Sequence, residues 1–276
     1  EIDCSSHPEL AGFTIVQISD LHNEEFGEGQ KKLLNMVSEC NPDMIAITGD
    51  FIDCRHTNVD IAMEFIEEAV DIAPVYYVPG NHESRIEEYA QFREAMIAAG
   101  VIVLENAKTR IQYNNEEITL AGIQDPDFTD VVDEADWISE QLSEILAPED
   151  GFVILLSHRP EYIQTYAESE VDLVLSGHAH GGQIRLPFVG GVIAPNQGLF
   201  PDYDGGVYVQ ENTQMVLEKD NTRIIDSHSG WFDQNAGDVR SVHTYFFELS
   251  VERGFKKPFV ISEYGGLAYG IKEHSY

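Results

Sequence analysis

Lysine and arginine are scarce in this chain: 16 stand against 49 aspartates and glutamates in 276 residues, a formal net charge of −33. Nucleic acid and anionic membrane faces are therefore not expected as partners, because both are gripped by Lys and Arg on phosphate. Any phosphate handled here must meet positive charge from another source. Cysteine is thin as well. Cys4, Cys40 and Cys54 are an odd number in a long chain, which implies no disulfide framework and mildly favours a reducing compartment. No apolar run approaches the roughly 18 residues of a membrane-crossing helix. The opening EIDCSSHPEL carries neither the basic nor the apolar part of a signal peptide, so no transmembrane segment is expected. Internal repeats, low-complexity tracts and a Pro/Ser-rich linker are missing too.

What is present is a folding composition, with 43% hydrophobic and 10% aromatic residues, far above what a disordered chain carries. From Phe13 onward, short β-branched runs alternate with helical stretches. FTIVQISD reads as a buried strand, QKKLLNMVSEC as a helix, MIAITGD as a strand and NVDIAMEFIEEAVDIA as a helix with one apolar face. The strand VYYVPG and a helix through ESRIEEYAQFREAMIAAG complete a βαβαβα opening. A hairpin follows in TRIQYNNEEITLAGI with NNEE as its turn, then a helix near DEADWISEQLSEIL. The buried strands FVILLSH and VDLVLSGH lead into a Gly-rich hairpin region ending at GVYVQENTQMVL. Buried strands alternating with helices predict an α/β sheet structure covered on both faces.

In open α/β sheets, ligands sit at the carboxyl ends of strands. Those ends are chemically one-sided here. The first offers Asp20 and His22, the second Asp50 and Asp53, the third Asn81, His82 and Glu83, the fourth His158, and the fifth His178 and His180. Any one group reads as an ordinary turn or helix-start cluster. Five in succession, holding five of the ten histidines, point to a shared purpose.

Carboxylates, imidazoles and one carboxamide suit borderline to hard divalent cations such as Mn, Fe, Zn or Co. Asp20, His22, Asp50, Asn81, His158, His178 and His180 are too many for one tetrahedral site. They would serve two ions about 3.5 to 4 Å apart, provided one carboxylate bridges them. If the GHAH segment stays extended, His178 and His180 point to the same side and reach neighbouring ions, with the flanking glycines permitting close backbone approach.

The ordered set DLH, GDFID, GNHE, SH and GHAH resembles the calcineurin-like metallophosphoesterases over roughly residues 13 to 217. LLSHRPE and LSGHAHGGQIRLPF resemble in particular the bacterial branch often made with an amino-terminal membrane anchor. The resemblance implies a four-layer αββα sandwich and a hydrolase, specifically a metal-dependent phosphodiesterase or phosphatase that uses a metal-bridging hydroxide. It implies Asp20, His22, Asp50 and His180 on one ion, with Asp50 bridging to a second held by Asn81, His158 and His178. It also implies that His82 orients phosphate or protonates the leaving oxygen, and that Asp53 stands behind the ligands. Arg159 is a candidate phosphate contact, with a surface salt bridge as its competing role. Expected substrates are small-molecule or lipid-linked phosphoesters. Location stays open between cytoplasm and attachment to a membrane through a further segment.

Around residue 218 the chain changes: residues 1–217 hold 40 acidic and 9 basic side chains, residues 218–276 only 9 and 7. The division expected is a phosphoesterase domain at 1–217 and a short appendage at 218–276. SEYGG in the tail resembles a fragment of the β-galactosidase-like family 2 glycoside hydrolases, whose nucleophile would be Glu263. Glycoside hydrolysis needs a second carboxylate across the bond. The resemblance implies that this acid stands in an Asn-Glu pair upstream, and such pairs fall at 23–24 and 115–116 within the other domain, so the tail is read as non-catalytic. VHTYFFEL and PFVISEY are candidate edge strands for the sandwich. A metal-binding protein without turnover is the alternative to an enzyme, and a glycosidase acting through Glu263 is a distant third.

Overall fold

A computed structural model describes residues 7, 10–147, 150–180, 184–186, 190–210, 213–217, 240–244 and 259–264. The first half forms β1 (Ile15–Ile18), α1 (Lys31–Glu39), β2 (Met44–Thr48), α2 (Val59–Ala69), β3 (Val75–Val78), α3 (Tyr89–Ala99) and β4 (Ile102–Val103). These strands make one four-stranded sheet in the order β1-β2-β3-β4, parallel at every pairing. Asn58 caps α2 by accepting the Asp60 N–H. At the other end of the layer, α3 stops at Gly100, whose φ of 107° is open to glycine without strain.

The second half contributes β5 (Ala107–Tyr113), β6 (Glu116–Gly122), α4 (Glu134–Ile145), β7 (Phe152–Leu156), α5 (Ile163–Glu168) and β8 (Leu173–Ser176). After these come β9 (Ile184–Leu186), β10 (Gly190–Ala194), β11 (Gly198–Leu199), β12 (Val207–Gln210) and β13 (Thr213–Leu217). A six-stranded sheet runs β12-β13-β8-β7-β6-β5, with parallel pairing at its centre and an antiparallel hairpin at each edge. β9 to β11 form a small antiparallel sheet of their own.

Alternation along the strands decides the layering, because successive side chains point to opposite faces. On β2, Met44 and Ala46 face one way, and Ile45 and Ile47 the other. On β7, Phe152, Ile154 and Leu156 oppose Val153 and Leu155. The first set of each strand meets in a core between the two sheets, with Tyr76, Val78, Ile118, Leu120 and Leu175. Ile45 and Ile47 pack under the α1–α3 layer with Phe65 and Phe92, whereas Val153 and Leu155 pack under α4 and α5 with Ile138, Leu142 and Tyr166. The result is the expected four-layer αββα sandwich.

Several details depart from the sequence reading. The helix expected through residues 83–100 is broken: Glu83–Arg85 is a single 3₁₀ turn, and Ile86 is extended (φ −101°, ψ 135°) before α3 begins. Ile86 is buried in the helical-layer core, which an unbroken helix would have to forgo. In the hairpin, only Asn114 and Asn115 form the turn, since Glu116 already pairs with Tyr113. The helix α5 between β7 and β8 and the short strand β4 carry too little pattern to be read from sequence. In the tail, β14 (Arg240–Thr244) and β15 (Phe259–Tyr264) pair in parallel with each other instead of extending either sandwich sheet. Cys54 is a free thiol, half-buried on the loop after β2.

The two sheets approach closely at Gly122, where a side chain has been left out. A Cβ on Gly122 would lie 2.4 Å from both Leu104 Cβ and the Leu104 carbonyl oxygen, and 2.7 Å from Val78 Cγ1. We predict that Gly122→Ala costs about 1–3 kcal/mol through overpacking, read as a lower midpoint in urea unfolding. Unaltered stability would mean that the sandwich can spread at this point.

Candidate metal centre

Five site residues share an uncommon backbone conformation. Asp20 (φ 52°), His22 (47°), Asp50 (49°), His178 (69°) and His180 (50°) are all left-handed, a region that non-glycine residues seldom adopt. Each such residue costs on the order of 1–3 kcal/mol and persists only where its surroundings over-determine it. Here the loops bind one another. The Asp20 N–H donates to the Gly49 carbonyl and the His22 N–H to the Asp50 carbonyl, both at 3.0 Å. The His178 N–H donates to Asp20 Oδ2, also at 3.0 Å. The expectation that His178 and His180 lie on extended chain is thus corrected: the segment turns sharply, with the Ala179 N–H on the Gly177 carbonyl at 2.8 Å. Gly177 permits the approach, because a Cβ there would fall 1.9 Å from Ser19 Oγ and 2.5 Å from Asp20 Oδ2.

The turned histidines still separate to two groups. Ligand-type atoms of Asp20, His22, Asp50 and His180 lie within 4.8 Å of one another, and so do those of Asp50, His158 and His178. In the first group His22 Nε2 and His180 Nε2 face each other at 3.2 Å, and His180 Nε2 is 3.4 Å from Asp20 Oδ1. In the second, His158 Nε2 sees Asp50 Oδ2 at 3.3 Å, Asn81 Oδ1 at 3.2 Å and His178 Nδ1 at 3.1 Å. Asp50 belongs to both groups and is 1% exposed.

These contacts fit a cation better than they fit one another. His158 Nδ1 lies 2.8 Å from the Thr48 carbonyl, which only accepts, so that nitrogen carries the ring proton. In the neutral ring, Nε2 then offers a lone pair to neighbours that also offer lone pairs. Buried His178 Nε2 has no hydrogen-bond partner among the described residues. Burial disfavours a charged His158, yet the Asp50 carboxylate outweighs it and holds the imidazole up at about 10. Burial also works against an ionised Asp50, but His158, then His22 and His82, keep it well below the usual carboxylate range. Burial brings His22 down to about 4, partly opposed by Asp50. Without a metal, a proton on His158 is the charge that compensates Asp50, and metal binding would displace it.

Behind the first group, His22, Asp53 and His82 also converge within 4.8 Å. His82 Nδ1 accepts the Cys54 N–H at 3.2 Å and lies 3.4 Å from Asp53 Oδ1. Accepting at Nδ1 puts the proton of the neutral ring on Nε2, 3.9 Å from Asp50 Oδ2. Asp53 itself accepts the Arg55 N–H at 2.8 Å.

Two residues differ from their sequence reading. Arg159 is not a surface residue: it is 3% exposed, with Nε and Nη2 on Asp125 at 2.5 and 2.8 Å and Nη2 also on Asp127 at 2.9 Å. It lines the cavity, but its fork is already committed to carboxylates and is not a free phosphate clamp. Glu83, read only as a favourable acid at a helix start, is completely buried. Its carboxylate accepts the N–H groups of Gly80 (2.8 Å), Asp50 (2.9 Å) and Ile52 (3.0 Å), binding the loop after β2 to the loop after β3. Burial, then Asp50, raises Glu83 to about 7. No spacing rule distinguishes such an inward glutamate from a capping one.

The donors open onto a cavity of about 630 Å³, at whose lining Asp50, Asn81, His82, His178 and His180 meet Arg55 and Arg85. Glu263 is on β15, but its side chain lies outside the described residues.

A family model described as Calcineurin-like phosphoesterase matches residues 13–182. The uncharacterized metallophosphoesterase YkuE of Bacillus subtilis (strain 168) is 31% identical over 221 residues, covering 75% of this chain and 71% of that protein. Phosphodiesterase YaeI of Escherichia coli (strain K12) is 28% identical over 199 residues, covering 67% of each. Among solved structures, TT1561 of Thermus thermophilus shares the fold with a TM-score of 0.54 at 15% identity, over 75% of this chain and 89% of that one. The glycoside hydrolase resemblance of residues 218–276 is not borne out, and most of that segment lies outside the described residues.

The buried clamp is testable. Glu83→Gln keeps one acceptor oxygen and turns an amide NH₂ toward backbone donors. It is expected to cost about 1–3 kcal/mol for the donor left unsatisfied, seen in urea unfolding, and to weaken Mn²⁺ binding in calorimetry. Wild-type values for both would show that the loops are held without it.

Proposed function

The chain belongs to the calcineurin-like phosphoesterases, and from that membership we propose that it hydrolyses small-molecule phosphoesters with a pair of divalent ions, as a phosphodiesterase or broad phosphatase. One observation carries the reading: Asp50 is a buried carboxylate common to two clusters of ligand-type atoms. Asp20, His22, Asp50 and His180 would hold one ion, and Asp50, Asn81, His158 and His178 the other. The mixed oxygen and imidazole donors suit Mn, Fe, Zn or Co. When bound, such ions lower the pKa of a coordinated water toward neutrality and supply the positive charge that phosphate needs.

The protein's own part is positioning and proton delivery. Thr48 fixes the His158 ring with Nε2 inward, Glu83 sets the backbone of Asp50, and the Cys54 N–H fixes His82 with Nε2–H toward the cavity. His82 is then suited to orient phosphate or to protonate the departing oxygen, with Asp53 beside its other nitrogen. The name of the YaeI relative favours diesters; the comparisons give lipid-linked substrates no support. The catalytic unit is proposed to end near Leu217, where β13 ends, with 218–276 as a non-catalytic appendage.

With Mn²⁺, the protein should hydrolyse bis(p-nitrophenyl) phosphate, stop when a chelator is added and recover on reloading. Asp50→Asn and His82→Ala should each lower kcat by about 100-fold or more. Elemental analysis separates their roles, since Asp50→Asn should lose bound metal and His82→Ala should keep it. Undiminished turnover in both variants would defeat the assignment; metal-loaded protein inert on a panel of phosphoesters would leave a binding function instead.

A further inference from the structure

Positive charge in this molecule is sparse but concentrated. Of the nine basic residues in 1–217, three line the cavity beside the metal centre: Arg55, Arg85 and Arg159. They are differently engaged. Arg159 is buried in its fork with Asp125 and Asp127. Arg85 gives one nitrogen to Asp127 at 2.6 Å and leaves the rest of its guanidinium exposed. Arg55 is exposed, and its guanidinium makes no ion pair among the described residues.

Depth orders these groups. Asp50, which lines the cavity, is 1% exposed, whereas Arg55 stands five residues beyond it on the same loop and is exposed. A buried donor cluster and an exposed guanidinium on one lining leave room for two separate anionic groups. The cavity, at about 630 Å³, has room for a substrate much larger than one phosphate. Its lining also carries Asp133, Glu134 and Glu161, which would repel a second anion, whereas Asp127 is paired with Arg85 and Arg159.

Building on the phosphoesterase reading, we infer that Arg55 is a specificity-determining residue: it binds a second anionic group of the substrate, a phosphate or carboxylate carried beyond the ester that is cleaved. Arginine suits this role through its planar fork of donors, which matches phosphate oxygens in pairs. Arg85 is the neighbouring cation and shares the field without the same freedom.

A matched pair of chromogenic esters tests it: thymidine 5′-(p-nitrophenyl phosphate), with and without a phosphate on the 3′ oxygen. The readout is the ratio of their kcat/KM values, in which any general loss of fold or metal cancels. Wild-type protein should prefer the 3′-phosphorylated ester, Arg55→Ala should cut that preference about tenfold, the size of one charge-assisted contact, and Arg55→Lys should retain part of it. A ratio unaffected by Arg55→Ala, or a wild type that does not favour the 3′-phosphate, overturns the inference. If wild-type protein cleaves neither ester, calorimetry on Mn²⁺-loaded protein decides the role of Arg55, and the phosphoesterase reading is judged separately on the wider phosphoester panel. Thymidine 3′,5′-bisphosphate should then bind more tightly than thymidine 5′-monophosphate to wild type but not to Arg55→Ala; equal affinity ratios in both proteins reject the assignment.

Discussion

A carboxylate with 1% of its surface exposed must be compensated, and the centre of this molecule is arranged around that necessity at Asp50. An ionised group so deep would ordinarily take up a proton. Here three imidazoles, His158, His22 and His82, stand within 3.3 to 3.9 Å of one of its oxygens. Its other oxygen accepts the His82 N–H at 2.8 Å, and Glu83 accepts the N–H of Asp50 itself. With the imidazoles neutral, the cluster holds more lone pairs than protons to satisfy them. Paired ligand-type nitrogens at 3.1 and 3.2 Å therefore describe a place built for positive charge.

The sandwich is what allows that cluster to form. Parallel pairing carries the ends of β1, β2 and β3 to one side of the first sheet, and those of β7 and β8 to one side of the second. Packing of the inner faces, with Met44, Tyr76, Ile154 and Leu175 in one core, fixes how the sheets meet. Donors separated by up to 160 positions in sequence, Asp20 and His180, then come within 3.4 Å. The final alignment rests on local strain. Five left-handed residues are tolerated because each loop's backbone is bonded to another loop, so stability of the sandwich supports a geometry the loops alone would not hold.

Much of this was legible because the relevant residues recur at one kind of place. A buried run followed by Asp, Asn or His, five times over, identifies strand ends and candidate donors together, in the order Asp20, Asp50, Asn81, His158 and His178. The illegible parts depend on direction, which composition does not encode. GHAH gives no sign that its histidines are left-handed; the His178 N–H bonds to the Asp20 carboxylate on a distant loop. Glu83 follows His82 in a stretch that suits a helix start, and only the unpaired N–H groups of Gly80, Asp50 and Ile52 draw it inward. Arg159 looked like a phosphate ligand or a surface ion pair because its partner Asp125 lies 34 residues away on another strand's loop.

The scarcity of basic residues and the proposed handling of anions are compatible once charge is considered locally. A formal charge of −33 repels a phosphoester from most of the surface, and that repulsion is screened beyond roughly 8 Å at physiological ionic strength. Inside the cavity the balance is different. Arg159 neutralises Asp125 and part of Asp127, which would otherwise add to the acidic wall. Removing Arg159 would leave Asp125, 1% exposed, as a buried charge without its partner. Its role is thus to keep the neighbourhood of the candidate ligand cluster from becoming more negative, while the proposed pair of cations would supply the attraction. An acidic protein can in this way attract an anion at one place only, and discriminate against anions everywhere else.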